Sequence, residues 1–103
     1  MAETVKKDSK NWVLVRTYSA GVFVGVLVSR KGKEVTLKNA RRIWYWDGAA
    51  SLSELAMRGT SKPENCKFPC PVDRIVLTEA IEIISLTPTA RESIYQVPEW
   101  RRS

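Results

Sequence analysis

Histidine is missing altogether from these 103 residues, and with it goes the side chain that most often moves protons near neutral pH. General acid or base work would fall to a displaced carboxylate, Lys, Cys or Tyr, and no pair suited to it stands out. Glu79 and Glu82 lie close together in TEAIEII, but three positions apart on a strand they face opposite sides. Cysteine is scarce too, with only Cys66 and Cys70. A structural zinc takes four Cys or His ligands, so the one metal option left is a site shared across a symmetric dimer. A disulfide is disfavoured in a reducing cytosol, which leaves two ordinary thiols, buried or half-buried. The longest apolar stretch, Gly21 to Val28, is far too short to span a bilayer. MAETVKKDSK has no apolar run behind its lysines. The expectation is a cytoplasmic protein with no membrane contact, no cofactor, no metal and no catalytic residue: a binder.

A chain of this length makes one domain with one small core. Hydrophobic residues at 44% and charged residues at 27% are ordinary for a globular fold. WVLVRTY (Trp12 to Tyr18) and GVFVGVLVS (Gly21 to Ser29) read as two strands of a tight hairpin. The turn RKGK leads into a third strand, EVTLKNARRIWYW, with Val35, Leu37 and Ile43 on one parity and a bend or bulge at Asn39-Ala40. Ser51 and Glu54 fit a capping box, and the spacing predicts a short helix from Ser51 to Arg58 that Gly59 ends. Thr60 to Lys67 is a loop. PVDRIVL and AIEIISL, with Thr78-Glu79 between them, predict a second hairpin. A last helical turn starts at Thr87-Pro88, with Thr89 to Glu92 as a rival capping box, and Pro98 stops it. The domain is expected over 11–97, behind a flexible tail at 1–10 and before a basic tail at 98–103. Five strands and one or two short helices predict a mainly β fold, a small bent barrel or sandwich of SH3 or Sm-like type.

From Ser29 to Arg42 six cations stand against Glu34 alone, which is +5 of the chain's +6. Arg30, Lys31 and Lys33 read as a solvated turn. Arg41 and Arg42 are different, because neighbours on a strand point to opposite faces and one of the two must meet the core or a cleft. There a guanidinium wants an anion, either internal (Glu54, Asp73 or Glu82) or a ligand phosphate. Three of the nine aromatics follow at once as Trp44, Tyr45 and Trp46. Alternation places Trp44 and Trp46 with Arg42, and Tyr45 with Arg41. Trp12 and Phe23 read as core, but one core cannot take all of Trp44 to Trp46, so one side must face a subunit, a ligand or solvent. Gly48-Ala49-Ala50 leads to a helix N-terminus that suits phosphate, with Ser51 and Ser53 as hydroxyl donors. Aromatic faces beside an arginine suit a stacked base and its phosphate. Lys38, from the same strand, and Arg16 and Tyr18, from RTYS, complete the candidate ligand set.

GVFVGVLVSRKGKEVTLKNAR, Gly21 to Arg41, resembles the first motif of the Sm-like family, an apolar strand with a Gly, a turn, and a strand of the form h-x-L-x-N-A. That family's acidic turn residue and second motif are absent, so the resemblance bears on the barrel more than on RNA binding. More of the chain resembles a family of small phage and prophage proteins of unassigned function, through RTYSAGVFVG (Arg16 to Gly25), LKNARRIWYWDGAASLS (Leu37 to Ser53) and VDRIVLTEAIEII (Val72 to Ile84). This resemblance implies a phage context, in which small proteins often counter host defence, some as oligomeric sponges for cyclic nucleotide signals. The expected function is a non-catalytic, oligomeric binder of a phosphate-bearing nucleotide immune signal, such as a cyclic nucleotide or an ADP-ribose derivative. The alternatives are an Sm-like binder of single-stranded RNA or DNA, and a structural phage protein that uses the Trp-Tyr-Trp face to hold a partner.

Overall fold

The computed structural model describes residues 11–101, so the tail expected at 1–10 and the last two residues lie outside the described residues. Five strands, β1 (Trp12–Thr17), β2 (Val22–Lys31), β3 (Glu34–Ile43), β4 (Val72–Leu77) and β5 (Ala80–Ser85), form one antiparallel sheet in the order β4-β3-β2-β1-β5. Two helices, α1 (Leu52–Arg58) and α2 (Pro88–Tyr95), follow β3 and β5. α1 starts at Ser51, whose hydroxyl accepts from the Glu54 N–H, as the capping pattern predicts. α2 is capped by Thr87 rather than by the rival box, has Pro88 at its first position, and ends at Tyr95 before Pro98 is reached.

The expected second hairpin does not form: β4 pairs with β3 at one edge of the sheet and β5 with β1 at the other. Only Thr78 and Glu79 connect them. Three Cα steps reach at most about 11 Å, whereas the outer strands of a flat five-stranded sheet lie about 19 Å apart. The sheet must therefore curl until its edges approach, and the result is barrel-like without being closed. The corner is pinned by Tyr18 N donating to Glu79 O (2.9 Å) and Ala80 N donating to Lys33 O (3.0 Å).

Curling gives the sheet an inside and an outside, and each has its own core. Inside sit Val13, Val15, Phe23, Val35, Leu37, Ala40 and Leu77. Outside, Leu14, Val24 and Ile43 pack under Leu55 and Ala56 of α1, Ala90 and Ile94 of α2, and Phe68 from the loop before β4. Phe23 is buried, and Trp12 is half-buried against the outer core. Burying each large apolar side chain contributes roughly 1.5 to 3 kcal/mol.

A bulge decides which side chain goes to which core. Val24 and Val26 pair with Arg41 and Lys38, so β3 carries one residue more than β2 at this point. Asn39 takes it up in the left-handed region, at φ 51°. Gly25 lies opposite, where a Cβ would sit 3.0 Å from the Lys38 carbonyl and 3.2 Å from the Ala40 Cα. The extra residue inverts the parity of the strand. Val35 and Leu37 belong to the inner core and Ile43 to the outer one, so the single parity expected for all three holds only up to Asn39. β3 also ends at Ile43 rather than Trp46, and beyond it Tyr45 makes an isolated bridge to Lys67.

Candidate ligand-binding groove

The inverted parity sends the two arginines to opposite sides. Arg41 points into the outer core and is only 2% exposed. Among the described residues no carboxylate lies within 4.0 Å of it, contrary to the expectation of Glu54, Asp73 or Glu82 as partner. Instead Nε donates to Pro69 O (2.9 Å), Nη1 to Ile94 O (2.9 Å) and Nη2 to Phe68 O (3.1 Å). Ile94 lies in the last turn of α2, where the helix dipole presents its negative end. Its guanidinium carbon also lies 5.5 Å from the centroid of the Phe68 ring. Burial pulls the Arg41 pKa down, and Tyr95, Glu99 and Cys70 oppose that pull. Arg41 is thus a bracket tying the 68–69 loop and the end of α2 to the sheet, and it leaves the candidate ligand set.

Arg42 is exposed and faces the inner side, opposite Phe23. Its guanidinium carbon stands 4.4 Å from the Phe23 ring centroid, a cation–π contact that holds the head in place. Nη1 donates to Ala20 O at 2.6 Å. A guanidinium has five N–H donors, and no other bond from Arg42, nor any carboxylate within 4.0 Å, occurs among the described residues.

Arg42 lines an open groove of about 620 Å³ together with Ser19-Ala20-Gly21, Trp44, Trp46 and Trp100. Trp44 is 57% exposed, while Trp46 is half-buried against the outer core. Trp44 and Trp100 lie 4.5 Å apart, centroid to centroid, at 43°. Tyr45 turns to the other side and lines a second cleft with Asp47, Glu64, Asn65, Lys67 and, again, Trp100. Lys67 Nζ stands 5.9 Å from the Tyr45 ring and 5.7 Å from the Trp100 ring.

Trp100 belongs to the stretch expected to be a basic tail. The Trp100 N–H donates to Phe68 O (3.0 Å) and Glu99 bridges Phe68 in parallel, which lays this segment along the 68–69 loop. A tryptophan beside Pro98 and between charged residues was the available signal, because a solvated tail has no use for an indole. Ser19 to Gly21 read simply as a turn. Its Ser19 hydroxyl donates to the Glu79 carboxylate at 2.8 Å.

The remaining candidates lie elsewhere or are occupied. Glu54 Oε1 accepts from the Ala50 N–H (2.7 Å) and Ser51 Oγ from the Glu54 N–H (3.1 Å), so a carboxylate of the chain itself already sits at the start of α1. With that charge in place a phosphate is disfavoured there, and Ser51 and Ser53 leave the phosphate role. The small residues before them serve packing: Gly48, at φ 84°, lies so close to the 60–62 backbone that a Cβ would come within 2.5 Å of Lys62 N. Asp47 organises the same loop, accepting from Gly48 N (2.8 Å) and Asn65 Nδ2 (3.0 Å), and these bonds, Asn65 first, hold its pKa below the usual carboxylate value. Cys66 is buried in this loop and Cys70 is exposed. Lys38 is exposed on the sheet between Val26 and Arg74. Arg16 pairs with Glu82 at 2.9 Å, and Tyr18 is exposed without lining the groove. The basic segment is therefore no single patch. Arg30, Lys31 and Lys33 cluster at the β2–β3 tip, about 30 Å along a ten-residue strand from Arg42.

Among the described residues, fold and groove together define a small barrel-like β protein with two helices and an open aromatic site beside an arginine that has no acidic partner. Within that class the chain belongs to a family described as a domain of unknown function (DUF6948), matched over residues 10–94. No curated protein and no solved structure matches it. Among the described residues no helix is long and apolar enough to cross a membrane.

Proposed function

We propose that this protein is a non-catalytic binder that takes a phosphate-bearing nucleotide in the Arg42 groove. In the phage setting its sequence resemblance implies, it would act as a sponge that withdraws a nucleotide immune signal. The observation that carries the reading is Arg42 itself: a guanidinium with four donors uncommitted among the described residues, steadied by Phe23, in a groove of about 620 Å³ walled by Trp44, Trp46 and Trp100. Indoles stack a base of any identity, and a guanidinium bonds a phosphate through two parallel N–H donors. The volume is ordinary for a small-molecule site.

A second reading, a binder of single-stranded RNA or DNA, draws on the exposed Arg30, Lys31 and Lys33 at the hairpin tip. A third, a partner-binding phage module, draws on the exposure of Trp44 and Tyr45. Native mass spectrometry of the purified protein, followed by calorimetric titration of mononucleotides and cyclic nucleotides at two salt concentrations, separates the three. A sponge retains or binds a small nucleotide with modest salt dependence, whereas a strand binder weakens steeply with salt. Arg42→Ala is expected to cost about 1.5 to 3 kcal/mol of nucleotide affinity, the range of a hydrogen bond to a charged group, with folding intact. A folded protein that binds no nucleotide at millimolar concentration would overturn the proposal.

A further inference from the structure

The Trp-Tyr-Trp run builds two clefts, and they share one wall. Trp44 and Trp46 turn to the Arg42 groove of about 620 Å³, and Tyr45, between them in sequence, turns to the Lys67 cleft of about 430 Å³. Trp100 lines both. Each side thus holds one cation and its own aromatic surface, with the Trp100 indole between. Neither Arg42 nor Lys67 has a carboxylate within 4.0 Å among the described residues. The Lys67 side also holds carboxylates, which the lining of the Arg42 side lacks. The Asp47 carboxylate is committed to Gly48 and Asn65, but Glu64 is exposed and takes part in no ion pair among the described residues.

We infer that the site takes a two-base, two-phosphate ligand, a dinucleotide, which straddles Trp100 with one half in each cleft. This deepens the reading of the Arg42 groove as a nucleotide site and rests on it. A mononucleotide brings one base and one phosphate and satisfies one cation. A dinucleotide with two phosphates answers both cations and both aromatic walls, and Glu64 is placed to accept from a ribose hydroxyl or an exocyclic amine on the Lys67 side. Joining the halves makes the second contact intramolecular, which raises affinity without any new kind of interaction.

The test is calorimetric titration of the full chain with 5′-mononucleotides of the four bases and with cyclic dinucleotides of the same bases. The matching cyclic dinucleotide is expected to bind at least about a hundredfold tighter than its mononucleotide, the lower end of what linkage gives. Lys67→Ala should abolish that advantage and leave the mononucleotide affinity within about twofold, because its single phosphate stays on Arg42. Trp100→Ala should weaken the dinucleotide more than the mononucleotide, and Trp100→Phe should restore most of the loss. Arg42→Ala should weaken both ligands. If mononucleotides bind through Arg42 but dinucleotides bind no tighter, or if Lys67→Ala leaves the difference untouched, the straddling arrangement is wrong while the nucleotide groove stands. If neither ligand binds the folded protein, both proposals fail together.

Discussion

Two adjacent arginines carry opposite burdens, and the difference can be measured. Arg41 satisfies three carbonyls inside the molecule. Replacing it with Met would leave Pro69 O without a donor among the described residues, at roughly 1 to 3 kcal/mol if fully buried, whereas Phe68 O keeps the Trp100 N–H and Ile94 O the Val97 N–H. Urea denaturation of Arg41→Met should therefore show a loss of about 1 to 3 kcal/mol, the cost of one unsatisfied acceptor, since no buried charge is stranded. Arg42→Ala should lose about 1 kcal/mol, the scale of an exposed cation–π contact. Tyr95 offers a second test. Burial pushes its pKa up, with Arg41 and Arg91 opposing, and its hydroxyl donates to Asn39 O at 2.6 Å. The folded pKa lies above the unfolded value of about 10, so the native state holds this proton more tightly. Stability is then complete below that unfolded value and declines as pH climbs from it toward the folded one. Tyr95→Phe should flatten this alkaline decline in a denaturation series from pH 8 to 11 while lowering stability at neutral pH. At this scale the sequence was legible in outline: Arg42, Trp44 and Trp46 line one groove, but the strand ends at Ile43 and Trp46 packs on the outer core, so strand alternation is not what brings them together. That one of the two arginines turns inward was legible, but not which one nor its partners, since backbone carbonyls leave no mark in a sequence.

Among the elements, the Asn39 bulge has the widest consequences. It alone sets Arg41 and Ile43 toward the helices and Ala40 and Arg42 toward the inner side. The left-handed backbone of Asn39 suits Asn or Gly and penalises a β-branched residue by roughly 1 to 2 kcal/mol. Asn39→Gly is expected to melt near the parent and Asn39→Val clearly below it, in a thermal scan. Deleting residue 39 should be worse than either substitution, because restoring simple alternation would drive the Arg41 guanidinium toward the inner core. The bulge was readable from Asn-Ala in a strand pattern, but its effect on parity was not, since a bulge inverts every later position. The misread hairpin has a similar origin. A two-residue link between strands normally means that they pair, and only the curl of the entire sheet lets the same link join opposite edges.

For the whole molecule, the curl leaves β4 and β5 each with one edge that pairs with no strand among the described residues. Val72 and Val76 on β4, and Ile81 on β5, are exposed apolar residues there. Bare edges with apolar side chains are templates for another chain, and a closed symmetric assembly is the usual soluble answer. Light scattering at micromolar concentration is expected to report an oligomer, and a monomer would mean that the two clefts around Trp100 work within a single chain.

The order of the strands also sets a timetable for synthesis. β1 is made before the other four described strands, yet it lies between β2 and β5, with Leu14 paired to Ile84. Contacts that distant in sequence form slowly and late, so a growing chain carries the apolar WVLVRT strand with one side unsealed until β5 has left the ribosome. Carried clear of the exit tunnel on a flexible C-terminal linker, a nascent chain that stops after Leu77 should therefore be protease-sensitive and prone to aggregate, while one that runs past Tyr95 should be protected. Pulse proteolysis of stalled chains of increasing length would locate that point, and protection that set in before β5 emerged would show that β1 is shielded by something other than its last neighbour.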